Sequence, residues 1–85
     1  MSNSKDHITQ VEEHLMRCEL IHGETYASIH EGYAVIKEEL DELWHEIKCK
    51  NPSYDKIYLE SRDLAQTVIK MMITVRKLKQ ADDRK

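Results

Sequence analysis

The sequence predicts an all-α protein, and two features of its 85 residues carry that prediction. It contains only two glycines and one proline, which is too little turn material for a many-stranded β fold. Over two long stretches, apolar residues recur at alternating spacings of three and four, as they do on one face of a helix. We therefore expect a single domain over residues 1–85. It would be an antiparallel helical hairpin plus an N-terminal helix, completed into a helical bundle by oligomerisation.

The first two helices are bounded by residues that commonly start or stop a helix. The first is expected over about 4–21, because Gly23 supplies a stop just beyond it. The second is expected over about 25–50, with Thr25 as its N-cap. Pro52 ends it, since proline cannot continue a helix and also restrains the residue before it.

The third helix follows after a very short connection. Ser53 is a good N-cap, and the helical period continues to about residue 79, so we expect a helix over 54–79. Residues 80–85 are expected to form a frayed, charged tail. The β-branched stretch 67–75 could form a strand in isolation, but the helical period runs through it on both sides.

Helices 2 and 3 each carry a heptad stripe. On helix 2 its members are Tyr26, Ile29, Tyr33, Ile36, Leu40, Leu43 and Ile47. On helix 3 they are Ile57, Ser61, Leu64, Val68, Met71, Val75 and Leu78. We expect these two stripes to pack against each other as the core of the hairpin. Helix 3 has a second apolar stripe, which we expect helix 1 and a partner subunit to cover; it comprises Ala65, Ile69, Met72 and Ile73.

Composition excludes several classes of protein. The net charge is −3, from 16 acidic and 13 basic side chains, which does not favour binding to a nucleic-acid polymer. No apolar run approaches the roughly 18–20 residues of a membrane span, and the polar N-terminus lacks a signal-peptide core. Two cysteines without an export signal fit a reducing cytoplasm. A chain this short buries only about 60–65% of its unfolded surface, which favours self-association as a dimer or tetramer.

Four carboxylates are expected to face each other across the hairpin. Glu39 and Glu42 lie one turn apart on one flank of helix 2, and Glu60 and Asp63 occupy the same heptad positions on helix 3. In an antiparallel pair, Glu42 is level with Glu60 and Glu39 with Asp63. The two levels are about 4.5 Å apart, and the helix axes should be about 8–10 Å apart.

Facing like charges repel each other, and a divalent cation would resolve that repulsion. Oxygen ligands without His or Cys favour Mg²⁺, with Mn²⁺ as a second possibility. The alternative is a solvated acidic face that binds nothing. Beyond the acids, the same flank of helix 3 carries Thr67, Lys70 and Lys77, which we interpret as substrate-binding residues for phosphate groups. The alternative for the lysines is a role in solubility alone.

At these residues the sequence resembles the MazG-like nucleotide pyrophosphohydrolases, an all-α family. Its pattern is E-x-x-E followed, after a spacer, by E-x-x-D. Residues 39–42 (ELDE) and 60–63 (ESRD) match it with 17 residues between them, and the HEGYAVIKEELDELW segment over 30–44 supports the likeness. The likeness covers roughly residues 25–75.

The resemblance implies that Glu39, Glu42, Glu60 and Asp63 are Mg²⁺ ligands. It also implies hydrolysis of a nucleoside triphosphate to a nucleoside monophosphate and pyrophosphate, as house-cleaning of the nucleotide pool, by a dimer or tetramer. Glu38 is a candidate catalytic base beside the first motif, although its outward position favours a solubility role.

Other interpretations stay open. A related hydrolase acting on dUTP or phosphoribosyl-ATP is one, and a non-catalytic helical interaction protein on the same scaffold is another. The column of His14, Cys18 and His22 could in principle bind zinc, although no C-x-x-C is present. Aromatic residues could stack on a base, but those on the seam fit a core role better; the candidates are Tyr26, Tyr33 and Trp44.

Overall fold

The computed structural model describes residues 3–84 and confirms the all-α prediction with three helices. They are α1 (Ser4–His22), α2 (Ile29–Ile47) and α3 (Tyr54–Asp83). No strand occurs within the described residues. Also within that range, no helix is both long and apolar enough to cross a membrane.

Side-chain caps set the start of each helix. Asn3 and Asp6 form a reciprocal capping box at α1, and Ser53 accepts the backbone N–H of Lys56 at α3, as expected. The expected start of the second helix at Thr25 is wrong. Ser28 is the N-cap, because its hydroxyl accepts the Glu31 N–H, and the helix ends at Ile47 rather than near residue 50.

The expected frayed tail is also wrong within the described residues. Helix α3 continues to Asp83, four residues beyond the expected end. Lys79 and Asp83 form an ion pair at the i, i+4 spacing that supports an exposed last turn. Lys85, the last residue of that expected tail, lies outside the described residues.

The order of contacts fixes how the helices run. Helix α2 packs antiparallel to α3, which confirms the hairpin, because Gly32 lies near Met71 and Glu42 lies near Glu60. Helix α1 packs on α3 and runs parallel to it, because contacts advance along both helices together: His7 meets Tyr58, and His14 meets Asp63. The α1–α2 loop then continues in the same direction to Tyr26, which contacts Thr74.

Tyr26 lies in that loop rather than on a helical seam, and it is the most buried apolar side chain of the described residues, at 6% exposure. Its backbone N–H donates to Thr74 Oγ1 at 3.0 Å, and its hydroxyl donates to the Thr67 carbonyl at 3.0 Å. Gly32 makes room for the ring, since a Cβ there would lie 2.7 Å from Tyr26 Cδ2. This glycine therefore serves the packing of the tyrosine ring against α2.

The prediction that the two heptad stripes pack against each other holds only in part. Five stripe members are half-buried, and others are exposed; the half-buried members are Ile36, Leu43, Ile57, Leu64 and Met71. Tyr33 is 65% exposed and Leu40 is 50% exposed on α2, and Val75 is 47% exposed on α3. The helices are rotated so that a polar stripe of α3 also faces inward. The buried polar members are Gln66, Thr67, Lys70 and Thr74.

Thr74 offers a test of this inward polar packing. This residue is 2% exposed, and its hydroxyl accepts the Tyr26 N–H and donates to the Lys70 carbonyl at 2.8 Å. Thr74→Val keeps the shape but leaves a buried N–H unsatisfied, so we expect a loss of about 1–3 kcal/mol in the free energy of unfolding. Urea denaturation measures it.

Thr9→Val is the matched control. Thr9 makes the same type of bond to the carbonyl four residues earlier, at 3.0 Å, but on the exposed surface of α1. The control should change stability by less than about 0.5 kcal/mol. Equal effects at the two positions would contradict the role given to Thr74.

Candidate functional site

Three of the four carboxylates predicted from the sequence converge between α2 and α3. Glu39, Glu42 and Glu60 each offer an oxygen, and these oxygens all lie within 4.8 Å of one another. Glu39 and Glu60 are partly buried between the helices, whereas Glu42 is exposed. The antiparallel register brings the two helical turns level, as the heptad positions predict.

Burial and mutual repulsion perturb these acids. Burial, followed by the charge of Glu42, raises the pKa of Glu39 to about 7. The same two causes, in the same order, raise the pKa of Glu60. Both groups therefore resist ionisation in the absence of a counter-charge.

Two oxygens of the cluster lack any hydrogen-bond donor. Glu39 Oε2 and Glu60 Oε2 are buried and unpartnered, which is costly for groups of this kind. A set of carboxylate oxygens with unused lone pairs fits a hard divalent cation such as Mg²⁺ or Mn²⁺. Within residues 3–84, no group of three side chains including His or Cys converges in the same way, so the described residues offer no comparable zinc site.

Asp63, the fourth predicted ligand, lies outside the three-carboxylate cluster. Its Oδ1 accepts from Arg62 at 3.0 Å and contacts His14 Nε2 at 3.0 Å. Burial, and then the charge of Arg62, lowers the pKa of His14, so the imidazole beside Asp63 resists protonation. The E-x-x-D spacing predicts that Asp63 lies level with Glu39 along the hairpin, but it does not predict the contacts with Arg62 and His14.

Two further predicted residues are not brought into the cluster. Lys77 is exposed and pairs with Glu24, so it does not line the space beside the acids. Glu38 is exposed and lies with Glu42 and Glu60 along a shallow groove on the outer side of α2. A catalytic role for Glu38 remains a prediction.

A cleft of about 470 Å³ opens beside the acids, where all three helices meet. Its volume lies within the roughly 300–1,000 Å³ of small-molecule sites. Glu39 and Asp63 line one end of it, and the cleft extends along α3 past Thr67 to Lys70. The acid cluster and this cleft therefore share Glu39.

Lys70 is a buried cation in this cleft, with only 7% exposure. Its ammonium lies 4.8 Å from the centre of the Tyr26 ring, a cation–π contact. No carboxylate among residues 3–84 lies within salt-bridge distance of it. Thr67, one turn earlier, uses its hydroxyl to donate to the Leu64 carbonyl at 2.7 Å. Lys70 therefore brings a positive charge without an ion-pair partner into a cleft that Glu31, Glu39 and Asp63 also line.

The structure adds cleft residues that the sequence does not single out for this role. Helix α1 contributes His14, Cys18 and His22, whose i, i+4, i+8 spacing is visible in the sequence but suggests only a zinc column there. Cys18 Sγ lies 3.6 Å from His14 Nε2. Gln66 on α3 also lines the cleft, and an isolated glutamine carries no pattern by which it could have been found.

Comparisons of the chain with protein-family models, curated proteins and solved structures find no match. Any function proposed for this chain therefore rests on its own residues and their geometry.

The raised pKa of Glu39 predicts an unusual pH dependence for the metal-free protein. A carboxyl with a folded-state pKa near 7 adds stability that is full below about pH 4.5 and is lost as the pH rises through 7. Glu39→Gln mimics the protonated form. We expect this variant to be more stable than the wild type at pH 8, by a margin that shrinks steadily towards pH 5. Urea denaturation in EDTA measures the margin.

Glu13→Gln, on the exposed surface of α1, is the control for this comparison. The lowered pKa of His14 changes stability with pH in the opposite direction. It does so in the wild type and in each variant alike, so it cancels when the stability of a variant is compared with that of the wild type. A margin for Glu39→Gln that stays constant from pH 5 to pH 8 would show that Glu39 titrates normally.

Proposed function

We propose that this protein is a Mg²⁺-dependent nucleoside triphosphate pyrophosphohydrolase, which converts an NTP and water to an NMP and pyrophosphate. The observation that carries the proposal is the convergence of Glu39, Glu42 and Glu60, with unpartnered buried oxygens, beside a cleft that holds Lys70. The resemblance of residues 39–42 and 60–63 to the MazG-like motifs supports the same reaction.

The charge arrangement favours a phosphate chain with its cation over either one alone. The carboxylates repel a free phosphate chain, and the buried lysine repels a free cation. Each of these ligands alone therefore matches only part of the site. A metal–triphosphate complex carries both signs and matches both parts. Glu39, Glu42 and Glu60 would hold the cation, with Mn²⁺ able to replace Mg²⁺.

The roles of the protein side chains follow from their positions. A bound Mg²⁺ would supply charge neutralisation for the phosphate oxygens and polarise the attacking water. Lys70 would hold the phosphate oxygens remote from the acids, and its burial strengthens that interaction by excluding water. Thr67 lines the path between them. Asp63, already fixed by Arg62 and His14, would add negative charge beside Glu39.

The experiment combines a thermal shift with a turnover assay. We expect Mg²⁺ to raise the melting temperature of the wild type, because it relieves the repulsion within the cluster. With Mg²⁺, a panel of NTPs should include substrates that release pyrophosphate. Glu42→Gln should lose at least a hundredfold in turnover while the fold is kept.

Glu13→Gln is again the matched control, since it removes one exposed acid of α1 that is not part of the cluster. It should leave both the Mg²⁺-induced shift and the turnover unchanged. No turnover of any NTP, together with no Mg²⁺-induced shift, would contradict the proposal. It would favour a non-catalytic interaction protein.

Self-association of this chain is part of the proposal. Much of the apolar heptad stripe of α2 is exposed on the monomer, and Val68, Met72 and Val75 add exposed apolar surface on α3. Two hairpins facing each other through these stripes would form a four-helix bundle, in which the heptad pattern is buried. The occupant is a second copy, because the same stripe pattern on both partners is self-complementary under two-fold symmetry.

A single charge on this surface tests the proposed dimer. Leu40 is 50% exposed near the middle of the α2 stripe, so Leu40→Glu should shift the wild-type oligomer to monomer in light scattering. Leu20→Glu is the control, because Leu20 is 89% exposed on α1, away from this surface. A monomeric wild type at micromolar concentration would contradict the dimer, and so would equal effects of the two variants.

A further inference from the structure

Asp63 is held by side chains from two different helices. Its Oδ1 accepts from Arg62 Nε at 3.2 Å and from Arg62 Nη2 at 3.0 Å, and it lies 3.0 Å from His14 Nε2. Arg62 is its neighbour on α3, whereas His14 comes from α1. All three contacts use the same carboxylate oxygen. The fold therefore fixes Asp63 by Oδ1 and leaves Oδ2 outside these contacts.

The contact with His14 is a hydrogen bond in which the imidazole is the donor. A ring nitrogen 3.0 Å from a carboxylate oxygen carries its proton, because two acceptors at that distance would repel each other. Cys18 Sγ, one turn further along α1, lies 3.6 Å from the same nitrogen. The side chains of His14 and Asp63 are 19% and 29% exposed, so water competes weakly for this bond.

Asp63 acts on the carboxylate cluster although it is not a member of it. It lines the same cleft as Glu39. Burial and the charge of Glu42 are the larger causes of the raised pKa values of Glu39 and Glu60, and the charge of Asp63 adds to both. Asp63 therefore contributes to the negative field in which a cation would bind.

The packing of α1 on α3 does not by itself call for this contact. The junction already has apolar side chains from both helices, which include Val11, Leu15, Ala65 and Ile69. Apolar packing joins two helices without the cost of removing a carboxylate from water. Hydrogen bonds of the kind that His14 makes are typical of metal sites, where they orient the acidic groups and raise metal affinity.

We propose that His14 is a positioning residue of the cation site: by holding Asp63 Oδ1 it fixes Asp63 beside Glu39 and Glu60. The inference rests on the proposed function, because it takes these acids to bind Mg²⁺, and it gives α1 a part in that binding. Coupling between two sites acts in both directions, so Mg²⁺ should in turn stabilise α1.

Calorimetric titration of the whole chain with Mg²⁺, at one fixed pH, tests the proposal without relying on turnover. His14→Leu removes the donor and should weaken Mg²⁺ binding about tenfold or more. His14→Gln keeps a side-chain N–H donor and should restore most of the lost affinity. His7→Leu is the matched control, since His7 also bonds across the α1–α3 junction, to the Tyr58 hydroxyl at 2.9 Å rather than to an acid. It should leave Mg²⁺ affinity unchanged.

A double-mutant cycle with Asp63→Asn separates positioning from a general loss of structure. If His14 acts through Asp63, His14→Leu should have little further effect on Mg²⁺ affinity in the Asp63→Asn protein. A loss caused by loosened helix packing would be equally large in both backgrounds. His14→Phe, which keeps a ring, replaces His14→Leu if that variant does not fold.

Hydrogen exchange of the α1 backbone amides supplies a second measurement. At Mg²⁺ concentrations that saturate each protein, the cation should slow exchange in α1 of the wild type but not of His14→Leu. His7→Leu should behave as the wild type does.

The outcomes distinguish this inference from the proposed function. A wild type that binds no Mg²⁺ would overturn both. Equally tight Mg²⁺ binding by the wild type and His14→Leu would overturn only the role of His14. The same holds for an equal loss of affinity with and without Asp63→Asn, and for an equal loss in His7→Leu.

Discussion

The burial of Tyr26 between α2 and α3 sets how these two helices face each other. Its backbone N–H and its hydroxyl are held by Thr74 and Thr67, two residues of the polar stripe of α3, and Gly32 leaves room for its ring. Because the stripe is tied to a buried aromatic residue, it turns inward. Glu39 and Glu60 turn inward with it, and part of each apolar heptad stripe is left exposed to solvent.

This orientation leaves the monomer incomplete in two ways that call for different partners. The inward side holds carboxylates whose ionisation is opposed by burial and by their mutual repulsion. A bound cation would stabilise their ionised form. The outward side exposes leucine, valine and aromatic side chains to water, and packing against another apolar surface would remove them from water. A conventional hairpin with a fully buried heptad seam would still bring the flanking acids together, but it would leave no apolar stripe for a second subunit to cover.

The sequence predicts the parts of this arrangement that depend on local chemistry and periodicity. Three helices, the Ser53 cap and the meeting of Glu39, Glu42 and Glu60 all follow from such patterns. The rotation of the helices does not, because a stripe shows which residues share a face but not which neighbour covers that face. The surroundings of Asp63 are also hidden from the sequence, since His14 is brought to it only by the packing of α1 on α3.

Helix α3 explains why opposite charges can coexist in one cleft without cancelling each other. Side chains on a helix pair directly at spacings of three or four residues, and Lys70 is seven residues from Asp63 and ten from Glu60. At 1.5 Å per residue, these separations along the axis are about 10 Å and 15 Å, beyond the reach of an ion pair. Arg62 is close enough to pair, and it engages only Asp63. Lys70 therefore stays free of an ion pair with Asp63 and Glu60, so its ammonium can bind an anionic group in a cleft that adjoins the carboxylate cluster through Glu39.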